Sequence, residues 1–445
     1  MVGTRTPRGL SGCWILLALL LLATSGQAQA QSTTEDDARI QQLEQAIAAL
    51  NTEVGDLREA QEENTIEYQK SVMELLDEIA ANEAAHPRPR QWYDRIRIGS
   101  YGEMHANFND GEPGKNQYDI HRLVLYVGYD FADWIELNSE IEIEHAFSSK
   151  GSGGEVLVEQ LFLDFKFNRK INARIGRILT PLGITNLNHE PTLFNGVERS
   201  SFDKYIIPTT WSSDGIGVYG DLSPRWAYQL YLVNGLDGSG FNAKDGIRGG
   251  RMKERPGLNE PAVTGRVDYS PFVGREMLYN QRLRIGASGY WGGLNNGNKG
   301  VKPGIDGSVL IASTDASYSI SRFDFRGAMA YTHIDGAKEI GNGTAEGIFG
   351  GNVEGAYHFM PDRWKRGKLA NSDAVVFARF DWFDTQASMP SGVKADPAGQ
   401  RQEWTFGVTF FPIQQLVLKA DYQYRTDRSS APADHRINFG VGWRF

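Results

Sequence analysis

Three pairs of opposite charge stand two residues apart: Arg266 with Asp268, Asp324 with Arg326, and Arg379 with Asp381. At that spacing both members of a pair share one face of an extended strand. Arg174, Arg284, Lys419 and Arg425 fall at equivalent polar positions of alternating segments, and Asp164 and Asp421 add carboxylates nearby. Guanidiniums gathered on one face can replace part of an anion's hydration shell with charge-assisted hydrogen bonds. The competing reading of each pair is a brace, with the carboxylate neutralising the arginine. A second series, Glu136, Glu140, Glu142 and Glu144, spreads over about 27 Å of strand at ~3.4 Å per residue. That spread suits a solvated pore wall better than a metal centre. The histidines never pair at metal-ligand spacing. His189, in the run Asn188-His189-Glu190-Pro191, reads as a hydrogen-bonded loop residue. No catalytic constellation, metal site or cofactor is expected.

The elements that must position these charges repeat every two residues. Ile437, Phe439, Val441, Trp443 and Phe445 alternate with Asn438, Gly440, Gly442 and Arg444. Ile135–Glu144, Phe323–Thr332, Glu403–Phe410 and Leu416–Arg425 alternate in the same way. Each reads as a strand with one apolar and one polar face. Aromatics gather near strand ends, at Tyr129, Trp134, Tyr290, Trp291, Tyr331, Trp382, Tyr422, Tyr424 and Trp443. Such a distribution suits the interfacial girdles of a membrane barrel, whereas a soluble sandwich would spread them over its inner face. Residues 92–445, at ~10 residues per strand plus a comparable connection, make about 16 strands. The expected fold is all-β: a transmembrane antiparallel barrel, wide enough for an aqueous channel. The Gly-rich tracts at 109–116, 148–154, 235–257, 292–307 and 389–400 read as its long loops.

Composition agrees. The chain of 445 residues is 40% hydrophobic, with 50 Gly and 11% aromatics, and its mean hydropathy is −0.42. Its longest apolar run, Cys13–Ala23, is too short for a membrane helix, which needs about 20 residues. Residues 1–30 read as a signal peptide: Arg5 and Arg8, the apolar Trp14–Ala23, then Ala28-Gln29-Ala30. Its removal takes away Cys13, the one cysteine, and leaves a net charge of −11, which speaks against nucleic acid as a partner. In residues 31–86, Ile40, Leu43, Ile47, Leu50, Val54 and Leu57 recur at alternating steps of three and four, the seam of a coiled coil. Pro87 and Pro89 make 87–91 a spacer. Fourteen carboxylates against five cations give residues 31–90 a charge of −9, so the barrel itself carries only −2.

The core GRILTPLG within Ile171–Gly220, the later YLVNGLDGSGF and the C-terminal strand resemble the phosphate-selective porin O and P family over about 80% of the chain. The ending on Phe445 resembles the assembly signal of bacterial outer-membrane proteins. The resemblance implies an outer-membrane homotrimer, surrounded by lipid and inserted by the barrel-assembly machinery. It implies passive diffusion of small hydrophilic solutes, neutral or anionic, phosphate among them, with the coiled coil in the periplasm. The alternative is a structural barrel whose coiled coil spaces or tethers the membrane to a periplasmic partner.

Overall fold

The computed structural model describes residues 45–55, 70–75, 77, 91–110, 113–146, 153–274, 281–297 and 305–445. The signal peptide, the seam positions Ile40, Leu43 and Leu57, and residues 87–90 of the Pro-rich spacer lie outside these residues. The chain divides into two units, 1–89 and 90–445. Within the first, residues 45–55 and 70–75 are helical and exposed.

The second unit is a closed barrel of sixteen antiparallel strands, each paired with its neighbours in sequence, with β1 closing on β16. The first eight are β1 (Ile96–Asn109), β2 (Gln117–Ala132), β3 (Ile135–Glu144), β4 (Val156–Lys166), β5 (Asn172–Leu179), β6 (Ser212–Ser223), β7 (Trp226–Asn234) and β8 (Pro261–Tyr269). They continue with β9 (Arg282–Gly293), β10 (Ser308–Ile320), β11 (Phe323–Ile334), β12 (Gly347–His358), β13 (Asp373–Ser388), β14 (Gln400–Ile413), β15 (Leu416–Asp427) and β16 (Asp434–Arg444). Phe445 and Ser100 exchange backbone hydrogen bonds of 2.9 and 3.0 Å at the seam.

Period-two alternation sets which side chains face out. Leu123, Leu125 and Val127 of β2, Phe323, Phe325 and Met329 of β11, and Trp404, Phe406 and Val408 of β14 are all exposed on the outside. An outer face of this kind has hydrocarbon as its matching solvent. Tyr290 departs from the expected girdle. Its neighbour Trp291 points out, so Tyr290 must point in, where it is buried with its ring 5.0 Å from that of Trp211.

The lumen is not simply open. The connections after β5, β7, β9 and β11 turn inward and carry an apolar core of Leu182, Phe202, Ile206, Trp211, Phe241, Ile247, Leu294 and Ile340. This core packs on inward residues of the wall, including Tyr231, Ile348 and Phe383. A barrel of this size cannot fill its interior with wall side chains alone, so loops supply the rest.

Candidate functional site

The connection between β5 and β6, residues 180–211, crosses the lumen. Asn186 staples its base: Nδ2 donates to the carbonyls of Thr180 and Trp211 at 2.7 and 2.9 Å, and Oδ1 accepts from Trp211 N at 2.9 Å. The far wall holds the rest. Asp421 accepts from Val197 N at 2.6 Å, Glu354 from Asn195 at 2.9 Å and Glu403 from Ser201 at 2.7 Å, while Asp381 takes Ser200 Oγ and Phe202 N. On β16 the inward positions beneath the loop are glycines. A Cβ on Gly442 would meet Pro191 at 2.6 Å, and one on Gly440 would meet Val197 at 3.1 Å. The small polar face of β16 thus lets the loop lie on the wall.

Beside this loop three cavities follow one another in the barrel, each sharing lining residues with the next. At the end of the long connections one of about 730 Å³ is lined by Lys115, Lys204, Lys244, Arg425 and Arg436, against Asp119, Glu198, Glu403 and Asp434. Through Arg199 it meets a middle cavity of about 360 Å³, where Arg199, Arg284, Arg326 and Arg379 face Asp203 and Glu354. Arg284, Ser317 and Arg326 also line the third, of about 480 Å³ at the short-turn end, with Arg282 and Asp324. Strand register makes the middle row: Arg284 opposes Ser317, Ser317 opposes Arg326, Arg326 opposes Glu354 and Glu354 opposes Arg379. Burial pushes the Asp203 carboxyl up to about 7, only partly countered by the Thr185 hydroxyl bonded to it at 2.8 Å. Near neutrality, then, the positive groups of the middle cavity outweigh the negative.

The other expected residues divide by how far they are sealed. Arg326 is exposed and donates to Leu193 O of the loop at 2.7 Å, while its expected partner Asp324 pairs instead with His358 at 2.8 Å. Arg284 is partly exposed between Asp268 and Asp315, and Arg425 between Glu403 and Asp434. Arg174 is forked onto Asp164 at 2.7 and 2.9 Å under the Phe162 ring. Arg266 is sealed, its guanidinium held by Asp268 and Asp315, both at 2.7 Å. Arg379 and Asp381 are buried together, with the guanidinium also reaching the carbonyls of Asn195 and Glu198. Lys419 is buried against the Phe194 ring, its Nζ 3.7 Å from the centroid. The glutamate series is not a solvated wall. Glu140 and Glu142 are buried, and Glu136 pairs with Lys166 and Arg97. Glu136 and Glu144, at the two ends of the strand, stay partly open.

Two clusters escaped sequence reasoning because their members are far apart in the chain. Asp119 Oδ2 lies 3.1 Å from His121 Nδ1 and 2.8 Å from His145 Nδ1 in the largest of the three cavities, with the His105 ring stacked on His121. Glu140, Glu159 and His189 meet in the buried wall beneath the loop. The sequence did carry a sign of the second: Glu159-Gln160 are adjacent polar residues between Val158 and Leu161, a break in alternation. The register shifts at that point, Gln160 opposing Glu140 and Val158 opposing Ile141, a β-bulge.

No family model matches the chain, and the resemblance to the phosphate-selective porin O and P family has none behind it. An anion-selective porin from Comamonas acidovorans shares the fold at TM-score 0.50 and 9% identity, over 79% of this chain and 99% of that one. OprB of Pseudomonas putida aligns at TM-score 0.49 and 10% identity, over 82% and 97%. In sequence, an uncharacterized protein of Aquifex aeolicus (strain VF5) is 32% identical over 363 residues, 79% of this chain and 80% of that protein. At that identity and coverage, the chain belongs to the same family as the Aquifex aeolicus protein.

Proposed function

We propose that this protein is a passive channel of the bacterial outer membrane for small hydrophilic solutes, narrowed by residues 180–211 and leaning toward anions. The observation that carries the reading is the run of three cavities joined by Arg199, Arg284 and Arg326, with cationic groups in excess in each. In a narrow passage with low-dielectric walls, local charge of one sign raises the local concentration of the opposite ion. The apolar outer face supports membrane insertion. The Comamonas barrel of like fold is described as an anion-selective porin, which supports the sign. Phosphate, the homotrimer and the periplasmic placement come from the resemblance to the phosphate-selective porins, the coiled coil itself from the heptad seam of residues 40–57, and all belong to the same proposal. Reconstitution into planar bilayers tests it: a salt gradient should give a reversal potential of mild anion preference, and added phosphate should reduce chloride current. A cation-selective wild-type channel would overturn the anion reading. A barrel that inserts but conducts nothing would favour the structural alternative.

A further inference from the structure

Four carboxylate oxygens lie buried at one place in the wall without a hydrogen-bond donor among the described residues: Oε1 of Glu140, Oε1 of Glu142 and both oxygens of Glu159. A buried polar atom left unmet costs more than an ordinary hydrogen bond contributes, and a charged one costs more again. The nearest arginine is engaged through two of its three nitrogens, while its Nη1 is itself without a hydrogen-bond partner among the described residues. Arg122 holds Glu103 through Nε and Nη2, both at 2.6 Å, and its Nη1 stands 3.6 Å from Glu142. Glu140 receives one donor, from Gln160.

Two local features aim ligand atoms at this spot. The bulge in β4 turns both Glu159 and Gln160 inward toward Glu140. His189 Nδ1 lies 2.9 Å from Asn186 O, which can only accept, so Nδ1 carries the proton and Nε2 faces the carboxylates. Anchoring the second ring nitrogen on a backbone carbonyl is how metal-binding histidines are commonly oriented. Nε2 is 3.4 Å from Glu159 Oε1 and 4.0 Å from Glu140 Oε1. A tetrahedral ion with ligands at ~2.1 Å has edges of about 3.4 Å, so His189 and Glu159 already stand at that spacing, while Glu140 must move in by about 0.6 Å or more from a set whose ligand atoms lie within 4.8 Å of one another. We propose that Glu140, Glu159 and His189 bind one divalent transition-metal ion of the Zn2+ class, tying the lumen-crossing loop to β3 and β4. One imidazole with two carboxylates suits such an ion, whereas Ca2+ takes six to eight oxygens. Tyr101, whose hydroxyl is 2.9 Å from Nε2, would yield that nitrogen to the ion. The cluster of Asp119, His121 and His145 is the poorer candidate, since it is partly exposed and its carboxylate already bonds both imidazoles.

The test is elemental analysis of full-length protein folded with Zn2+ and dialysed without chelator. About one Zn2+ per chain should remain, and Glu159→Gln and His189→Asn should each reduce it to a small residue while His121→Asn retains it. Chelation of the wild type should also make residues 180–211 sensitive to protease. A folded wild type that keeps no zinc would overturn the proposal and leave the pocket neutralised by protons. Zinc lost from His121→Asn but kept by Glu159→Gln would overturn it too, placing the ion in the cavity. Absence of zinc from the folded wild type overturns the proposal even where a variant fails to fold, and His121→Asn, outside the proposed site, tells the two clusters apart. Conductance is not the readout, so a closed or cation-selective channel would leave this result intact.

Discussion

Arg326 and Arg266 are the same residue type on neighbouring stretches of wall, yet the structure gives them different work. Arg326 is exposed in the passage and donates to a loop carbonyl, Leu193 O. Arg266 is enclosed by two aspartates and never meets the passage. At about 6 Å in a water-like medium one unit charge is worth ~0.7 kcal/mol, so Arg326→Glu, a change of two units, should lower anion entry roughly tenfold. Reversal potentials would show it, with the barrel still folded. Arg266→Glu should fail differently: buried Asp315 and half-buried Asp268 would face a third carboxylate with only the partly exposed Arg284 between them, at a cost on the order of 3 kcal/mol, read as loss of the heat-resistant barrel on gels. Asp203 predicts a pH effect. Its carboxyl, raised to about 7, is neutral at pH 6 and ionised at pH 8, so anion preference should fall as pH rises through 7. Asp203→Asn should abolish that dependence. An unchanged pH profile in the variant would show that another group titrates.

At the scale of elements, the strands were legible and the loop that narrows the lumen was not. A strand writes its environment into the sequence, because hydrocarbon outside and polar groups inside impose a period of two. Ile437 to Phe445 shows this almost without exception. Residues 180–211 have no period, since their partners are wall residues up to 254 positions away, as for Glu190 and Arg444. Gly440 and Gly442 were visible as the small half of a strand pattern, but nothing in the pattern showed that Val197 and Pro191 would lie on them. The same holds for Glu140 and Glu142: alternation correctly turned them inward, and only the loop above them makes the inward side dry. Replacing residues 188–199 by a short Gly-Ser linker should therefore widen the passage and raise single-channel conductance severalfold. The Asn186 staple and the apolar segment from Phe202 to Trp211 remain to hold the ends. Unaltered conductance would place the narrowest point elsewhere.

For the whole molecule, net charge and the lining of the lumen point in opposite directions. Residues 31–445 sum to −11, which invites the expectation of a cation channel, but −9 of that belongs to residues 31–90, which fall almost wholly in the other compact unit. The barrel is close to neutral, and its neutrality is uneven. Many carboxylates are used up in the wall, Asp268 and Asp315 on Arg266 and Asp164 on Arg174, while Arg199, Arg284 and Arg326 stand along the passage. An ion in a narrow lumen responds to the groups within about one Debye length, ~8 Å at physiological ionic strength, and hardly to the sum over the chain. Deleting residues 31–90 removes most of the negative charge of the protein, so the two views give opposite outcomes. If net charge governed, the deletion would make the channel much more anion-selective. If the lining governs, reversal potential and unitary conductance should stay within error of the full-length channel, while Arg326→Glu in either background shifts the reversal potential by the same amount. A large shift on deletion alone would show that the acidic segment contributes to the ion path.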